Sequence, residues 1–80
     1  MQVNWTPNSQ TDLNDIRAYI AEHDVVAANK MTVHIVSAGD ALVEFSNRGR
    51  PTDIPDVREL VIPSTPYVLV YRVESETVQF

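Results

Sequence analysis

The sequence predicts an α+β fold of two layers: an N-terminal strand, an antiparallel helical hairpin, and then an antiparallel β meander. Three observations point there. "QVNW" at the start alternates apolar and polar side chains, as a half-buried strand does. Residues 7–44 carry two blocks of helically spaced apolar residues, broken only at "EHD". From residue 57 onward, two apolar runs flank "PSTP", the pattern of strand, turn and strand.

Each element has its own signal. The first strand covers residues 2–5, with Val3 and Trp5 on one face. Thr6 and Pro7 read as N-cap and first helical residue: a hydroxyl satisfies an orphan amide, and proline loses nothing where no hydrogen bond is due. The first helix is expected over 7–23, with Leu13, Ile16 and Ile20 on one face and Tyr19 beside them. Asp12 and Asp15 lie toward its positive end. Asp24 is the expected N-cap of a second helix over 25–44. Its seam is Ala28, Met31, Ile35, Ala38 and Leu42, spaced to pack along a neighbouring helix. Gly39 weakens that helix by about 1 kcal/mol relative to alanine and marks a bend or an earlier end. Residues 45–56 read as loop by their glycine, asparagine and prolines. Strands follow at 57–62 and 67–73, and "TVQF" begins another after an "ESE" turn.

Eighty residues fit one domain, spanning 1–80. The absence of cysteine excludes disulfides and thiolate metal sites. No secretory pattern opens the chain, and no run reaches the roughly 18 apolar residues of a membrane span. The expected setting is therefore cytoplasmic, with no membrane partner. The net charge of −5 is unevenly spread. Residues 1–45 hold two cations against six acids, residues 46–73 hold four arginines against three acids, and residues 74–80 add two acids. A uniformly acidic surface repels nucleic acid, whereas a local arginine cluster can take an anion or an acidic partner.

The familiar catalytic signatures are missing. Two glycines make no phosphate loop or dinucleotide fingerprint, and no serine sits in a nucleophile elbow. His23 and His34 have no second ligand at metal spacing. No catalytic residue, metal site or cofactor is assigned. The one concentrated cationic feature is "NRGRP", where Arg48 and Arg50 flank Gly49; guanidinium forks suit phosphate or carboxylate, and surface cover of a turn is the alternative. In the strands, Arg58 shares a face with Leu60 and Ile62, and Arg72 with Val68 and Val70. Arg48, Arg50, Arg58 and Arg72 are the candidate target- or anion-binding residues. Both sheet faces are largely apolar, and helices can cover only one, so the other calls for a partner. The candidate partner-binding side chains are Trp5, Tyr67, Tyr71 and Phe80.

Taken in order, "WTP", "DLNDIRAYIAEHD", "AANK", "F-x-x-R-G-R-P" at 45–51, "VREL" at 57–60 and "PYVLVYRV" at 66–73 resemble the ParE/RelE superfamily of bacterial type II toxin–antitoxin toxins, also known as plasmid-stabilisation proteins. The resemblance covers nearly the whole chain and implies the same α+β fold. It also implies a cognate antitoxin as partner. RelE-like members cut mRNA on the ribosome with basic side chains in the sheet and a residue near the C-terminus; ParE-like members act on DNA gyrase. Three departures from the RelE pattern place this chain closer to ParE. Val68 follows Tyr67 where the nucleases carry arginine; the chain stops at Phe80 where relatives continue the strand; and the net charge is acidic. The resemblance thus implies a gyrase-inhibiting toxin neutralised by an antitoxin. Its alternatives are a ribosome-dependent mRNA endonuclease and a shortened, non-toxic relict that binds antitoxin alone. In this superfamily the first strand lies beside the last, here only a stub, so the short sheet edge is expected to recruit an antitoxin segment or a second copy.

Overall fold

A computed structural model describes residues 1–80. The expected two-layer α+β arrangement is present. Strand β1 (Gln2–Asn4) leads into helix α1 (Pro7–Ala21). Thr6 caps α1, its hydroxyl accepting from the Ser9 N–H at 3.2 Å, and Pro7 begins it. Asp24 caps helix α2 (Val25–Asp40), accepting from the Ala27 N–H at 3.0 Å. Helix α1 stops two residues short of the expected end. Helix α2 tightens after Asp40 into a 3₁₀ turn over Ala41–Val43. Then come β2 (Arg50–Pro51), β3 (Val57–Val61), β4 (Val68–Glu74) and β5 (Thr77–Gln79).

The sheet order is β1-β5-β4-β3-β2. β1 runs parallel to β5, and every other pair is antiparallel. Strand β2 lies inside the segment expected to be loop. Its proline is tolerated because β2 is an edge, where the missing N–H faces no neighbour.

Register decides which residues face the helices. Arg58 opposes Tyr71, Leu60 opposes Leu69, and Val73 opposes Val78, which opposes Val3. These residues form the inward row. Tyr71, Val78 and Leu42 of the 3₁₀ turn are the buried cluster, with Val3, Leu60, Val73 and Phe80 packed around them. The outward row holds Val61, Val68 and Val70, which are 52%, 42% and 54% exposed, so the bare apolar face expected from the sequence exists. The α2 seam also holds, with Ala28, Ile35 and Leu42 buried. Helix α1 differs. It buries no residue fully: Leu13, Ile16 and Ile20 are half-buried, and Tyr19 is 70% exposed, away from the face expected for it.

The two ends of the chain are clamped together over Gly39. The Trp5 and Phe80 rings stack with centroids 4.1 Å apart at 22°. The Phe80 N–H donates to the Asn4 carbonyl at 3.1 Å, and the Thr6 hydroxyl donates to the Phe80 carbonyl at 2.9 Å. The Trp5 indole N–H donates to Asp40 at 3.2 Å. A Cβ on Gly39 would lie 2.5 Å from Trp5 Cζ2 and 3.0 Å from Phe80 Cζ. Gly39 therefore permits close approach of the rings. Helix propensity alone predicts that Gly39→Ala stabilises the protein by about 1 kcal/mol. The ring contacts predict the reverse: a loss of about 1–3 kcal/mol from overpacking, read as a lower urea midpoint with unchanged slope.

Candidate functional site

The four candidate arginines meet different surroundings. Arg58 is on the inward row, and its Nη1 donates to the Gly49 carbonyl at 2.7 Å and the Asn47 carbonyl at 3.3 Å. It holds the loop rather than presenting a free cation, which corrects its expected place among the anion-binding residues. Arg50 pairs with Glu59 across β2 and β3 at 3.6 Å. Arg72 pairs with Glu74 at 3.5 Å on β4. Both pairs are solvent-exposed, and such pairs contribute roughly 0–1 kcal/mol, so they yield readily to a competing ligand. Arg48 is exposed at the loop tip and has no carboxylate within ion-pair distance.

The "NRGR" loop is fixed from below by Tyr71. This side chain is 1% exposed; its hydroxyl accepts from the Gly49 N–H at 2.9 Å and donates to the Ser46 carbonyl at 2.7 Å. Burial removes Tyr71 from the surface a partner can reach, which corrects its expected partner-binding role. Gly49 is buried against it: a Cβ there would lie 2.6 Å from the Tyr71 oxygen and 2.8 Å from the Glu59 carbonyl oxygen. The backbone of "NRGR" thus has three polar anchors, two from Arg58 and one from the Tyr71 hydroxyl on Gly49, and Arg48 projects from a rigid base. Sequence reasoning missed this lock. Its only trace is the glycine set between two arginines and a tyrosine on an apolar row.

The remaining aromatic candidates come together. Trp5, Tyr67 and Phe80 line one cleft of about 440 Å³ between α1 and the strand β4. Leu13 and Ile16 of α1, Ile35 of α2 and Val68–Val70 of β4 form most of the rest of its apolar wall. Asp12 is the one charged residue there. The α1 side of this cleft was not legible in the sequence, because Leu13 and Ile16 look like ordinary core positions. No group of three or more His, Asp or Glu side chains converges in metal-binding geometry. No helix is long and apolar enough to cross a membrane.

The family described as "ParE toxin of type II toxin-antitoxin system, parDE" matches residues 3–80. The chain is 37% identical over 75 residues to "Putative toxin Y4kP" of Sinorhizobium fredii, covering 94% of this chain and 78% of that one. It is 40% identical over 72 residues to "Toxin RelE2" of Caulobacter vibrioides, covering 90% and 80% respectively. The solved structure described as "Chromosomal ParDE TA system from P. aeruginosa" superposes with a TM-score of 0.87 at 29% identity, over 99% of this chain and 88% of that one.

Two outcomes are expected from these contacts. Arg58→Ala strips two carbonyls of a charged donor and lowers stability by about 1.5–3 kcal/mol, whereas Arg48→Ala changes it by less than about 0.5 kcal/mol, as thermal unfolding will show. Tyr71→Phe leaves the Gly49 N–H and the Ser46 carbonyl unpartnered. It costs about 1–3 kcal/mol and speeds hydrogen exchange at the Gly49 amide specifically.

Proposed function

The chain belongs to the ParE toxin family of type II toxin–antitoxin systems, and on that footing we propose that it is a ParE-like toxin that inhibits DNA gyrase in the cytoplasm and is held inactive by a cognate antitoxin. The observation that carries this is the family match across residues 3–80 joined to the fate of the strand arginines. Arg58 is turned inward to carbonyls, and position 68, after the tyrosine that opens the strand, is valine. A phosphoryl-transfer site needs cations aimed at developing charge, and of the four candidate arginines only Arg48 stands without a partner. That arrangement supports protein binding more than cleavage. The cleft lined by Trp5, Tyr67 and Phe80 and the bare valine face supply apolar surface for partners.

The 40% identity to a protein named Toxin RelE2 favours a second reading, ribosome-dependent mRNA cleavage. Arg48, Arg50 and Arg72 would be its accessible cations. One pair of assays separates the two. The purified chain is added to a gyrase supercoiling reaction and, separately, to programmed ribosomes with toeprinting of the mRNA. Loss of supercoiling with intact mRNA is expected. Cut mRNA with unaffected gyrase would replace the ParE-like proposal by the RelE-like one. If neither occurs and expression leaves growth unchanged, both give way to an antitoxin-binding relict.

A further inference from the structure

The loop that Tyr71 and Arg58 hold from below begins with a tight turn. The Arg48 N–H donates to the Phe45 carbonyl at 3.0 Å, so Ser46 and Asn47 are the central residues and Phe45 and Arg48 the corners. Closing such a turn brings the two corner Cα atoms within about 7 Å of each other. Phe45 is also tied back to the 3₁₀ turn, its N–H donating to the Ala41 carbonyl at 3.3 Å. The Tyr71 hydroxyl fixes the Ser46 carbonyl and the Gly49 N–H, and Arg58 fixes the Asn47 and Gly49 carbonyls. Every residue from 45 to 49 is thus held by its backbone.

The side chains on this frame are unengaged. Phe45 is 55% exposed. Arg48 has no carboxylate within ion-pair distance, and Asn47 engages only its carbonyl. These three residues alone line a shallow cleft of about 240 Å³. One exposed phenylalanine is ordinary. A ring, an unpaired guanidinium and a free amide on one fixed turn form a recognition surface. Aromatic side chains and arginine carry most of the binding energy at protein interfaces, and a fixed backbone loses little entropy on docking.

We propose that the Phe45–Arg48 turn is a docking site for an acidic segment of a partner protein, in which an aspartate or glutamate lies beside a large apolar side chain. The carboxylate meets the Arg48 fork, the apolar group covers the Phe45 ring, and the Asn47 amide bonds the segment's backbone. The size of the cleft argues for side chains. It falls below the roughly 300–1,000 Å³ that encloses a small molecule. Charge argues for an acidic segment of protein over nucleic acid. Residues 45–52 hold two arginines and no acid, in a chain at −5. A long polyanion meets the repulsive field of the whole chain. A short acidic segment feels mainly the charges within a Debye length of about 8 Å, where the arginines prevail. Arg50 adds a second cation once its exposed pair with Glu59 opens. A second copy is a poor occupant, because two chains at −5 repel. The inference rests on the reading above that the chain works by binding protein, and it does not depend on gyrase being that protein.

The test is a titration of the 80-residue chain with the peptide acetyl-Gly-Asp-Leu-Glu-Phe-Gly-amide, followed by the backbone amide NMR shifts. Saturable shifts are expected at Asn47, Arg48 and Gly49, with binding weakened about two- to fivefold when salt is raised to about 0.5 M. Arg48→Glu should weaken binding at least about tenfold and Phe45→Ser at least about fivefold. Both side chains are exposed, so both variants should keep the wild-type unfolding midpoint. The peptide with lysine in place of both acids, and oligothymidylate, should shift none of these amides. Such shifts in a chain that leaves gyrase untouched would remove the proposed target and keep this site. No saturable shift at residues 47–49 overturns the proposal, as does undiminished binding by either variant. Oligothymidylate shifting these amides as strongly as the peptide would make nucleic acid the ligand and overturn it too. So would concentration-dependent shifts without peptide, which would make a second copy the occupant.

Discussion

The stack of Trp5 on Phe80 over Gly39 is the contact on which the rest depends. It joins residues at opposite ends of the chain and closes a sheet whose first and last strands would otherwise share only three residue pairs. So short a parallel ladder is weak by itself. The aromatic pair adds about 0.5–1.5 kcal/mol beyond its buried area, and the Thr6 hydroxyl ties the same point through its bond to the Phe80 carbonyl. Thr6 also caps α1, so one hydroxyl fixes both the start of a helix and the end of a strand. The price of this economy is a glycine at the penultimate residue of α2, where a helix would prefer alanine.

That clamp also explains why α1 buries nothing fully. The sheet reaches the helical layer through the 3₁₀ turn, which lies against β1 and β5 at the clamped end. Helix α1 packs on α2 and is tied to it by Arg17, whose guanidinium donates to the Asn29 side chain at 2.9 Å. Toward the other end of β4, α1 stands off the sheet. A chain this small buries only about 60% of its unfolded surface, and the deficit is concentrated here rather than spread evenly. Leu13 and Ile16 are consequently half-buried walls of a cleft instead of core.

Most of the architecture was legible in the sequence because its signals are local. Thr6-Pro7 and Asp24 cap helices through contacts three residues away, and the α2 seam and the "PSTP" break are periodic or punctuating patterns. What escaped depends on distant partners. Strand β2 exists because β3 offers an edge to Arg50 and Pro51, not through its own propensity. Gly39 looks like a helix breaker, and its reason lies at residues 5 and 80. Tyr19 sits beside the apolar stripe yet faces solvent, because α1 is covered on only one flank. Arg58 and Tyr71 read as surface chemistry, and both are turned to the loop because its part-buried carbonyls and the buried Gly49 amide needed donors and an acceptor.

The arginines in the strands of an acidic protein are explained by the same need. Arg58 satisfies two loop carbonyls on the inward face, where a lysine would offer a point charge in place of a planar fork. Arg50 and Arg72 lie outward, each beside a glutamate, so they rim the valine face without giving it a strong net field. A partner docking on those valines would displace two weak ion pairs at a cost of at most about 1 kcal/mol each, and could then use both cations. Of the four, Arg48 alone has neither a carboxylate nor a carbonyl partner, and the backbone beneath it is held by Tyr71 and Arg58. A rigid base means that little backbone entropy is lost when Arg48 meets an anionic group, so the loop lock, rather than the number of arginines, makes this corner of the molecule suited to recognition.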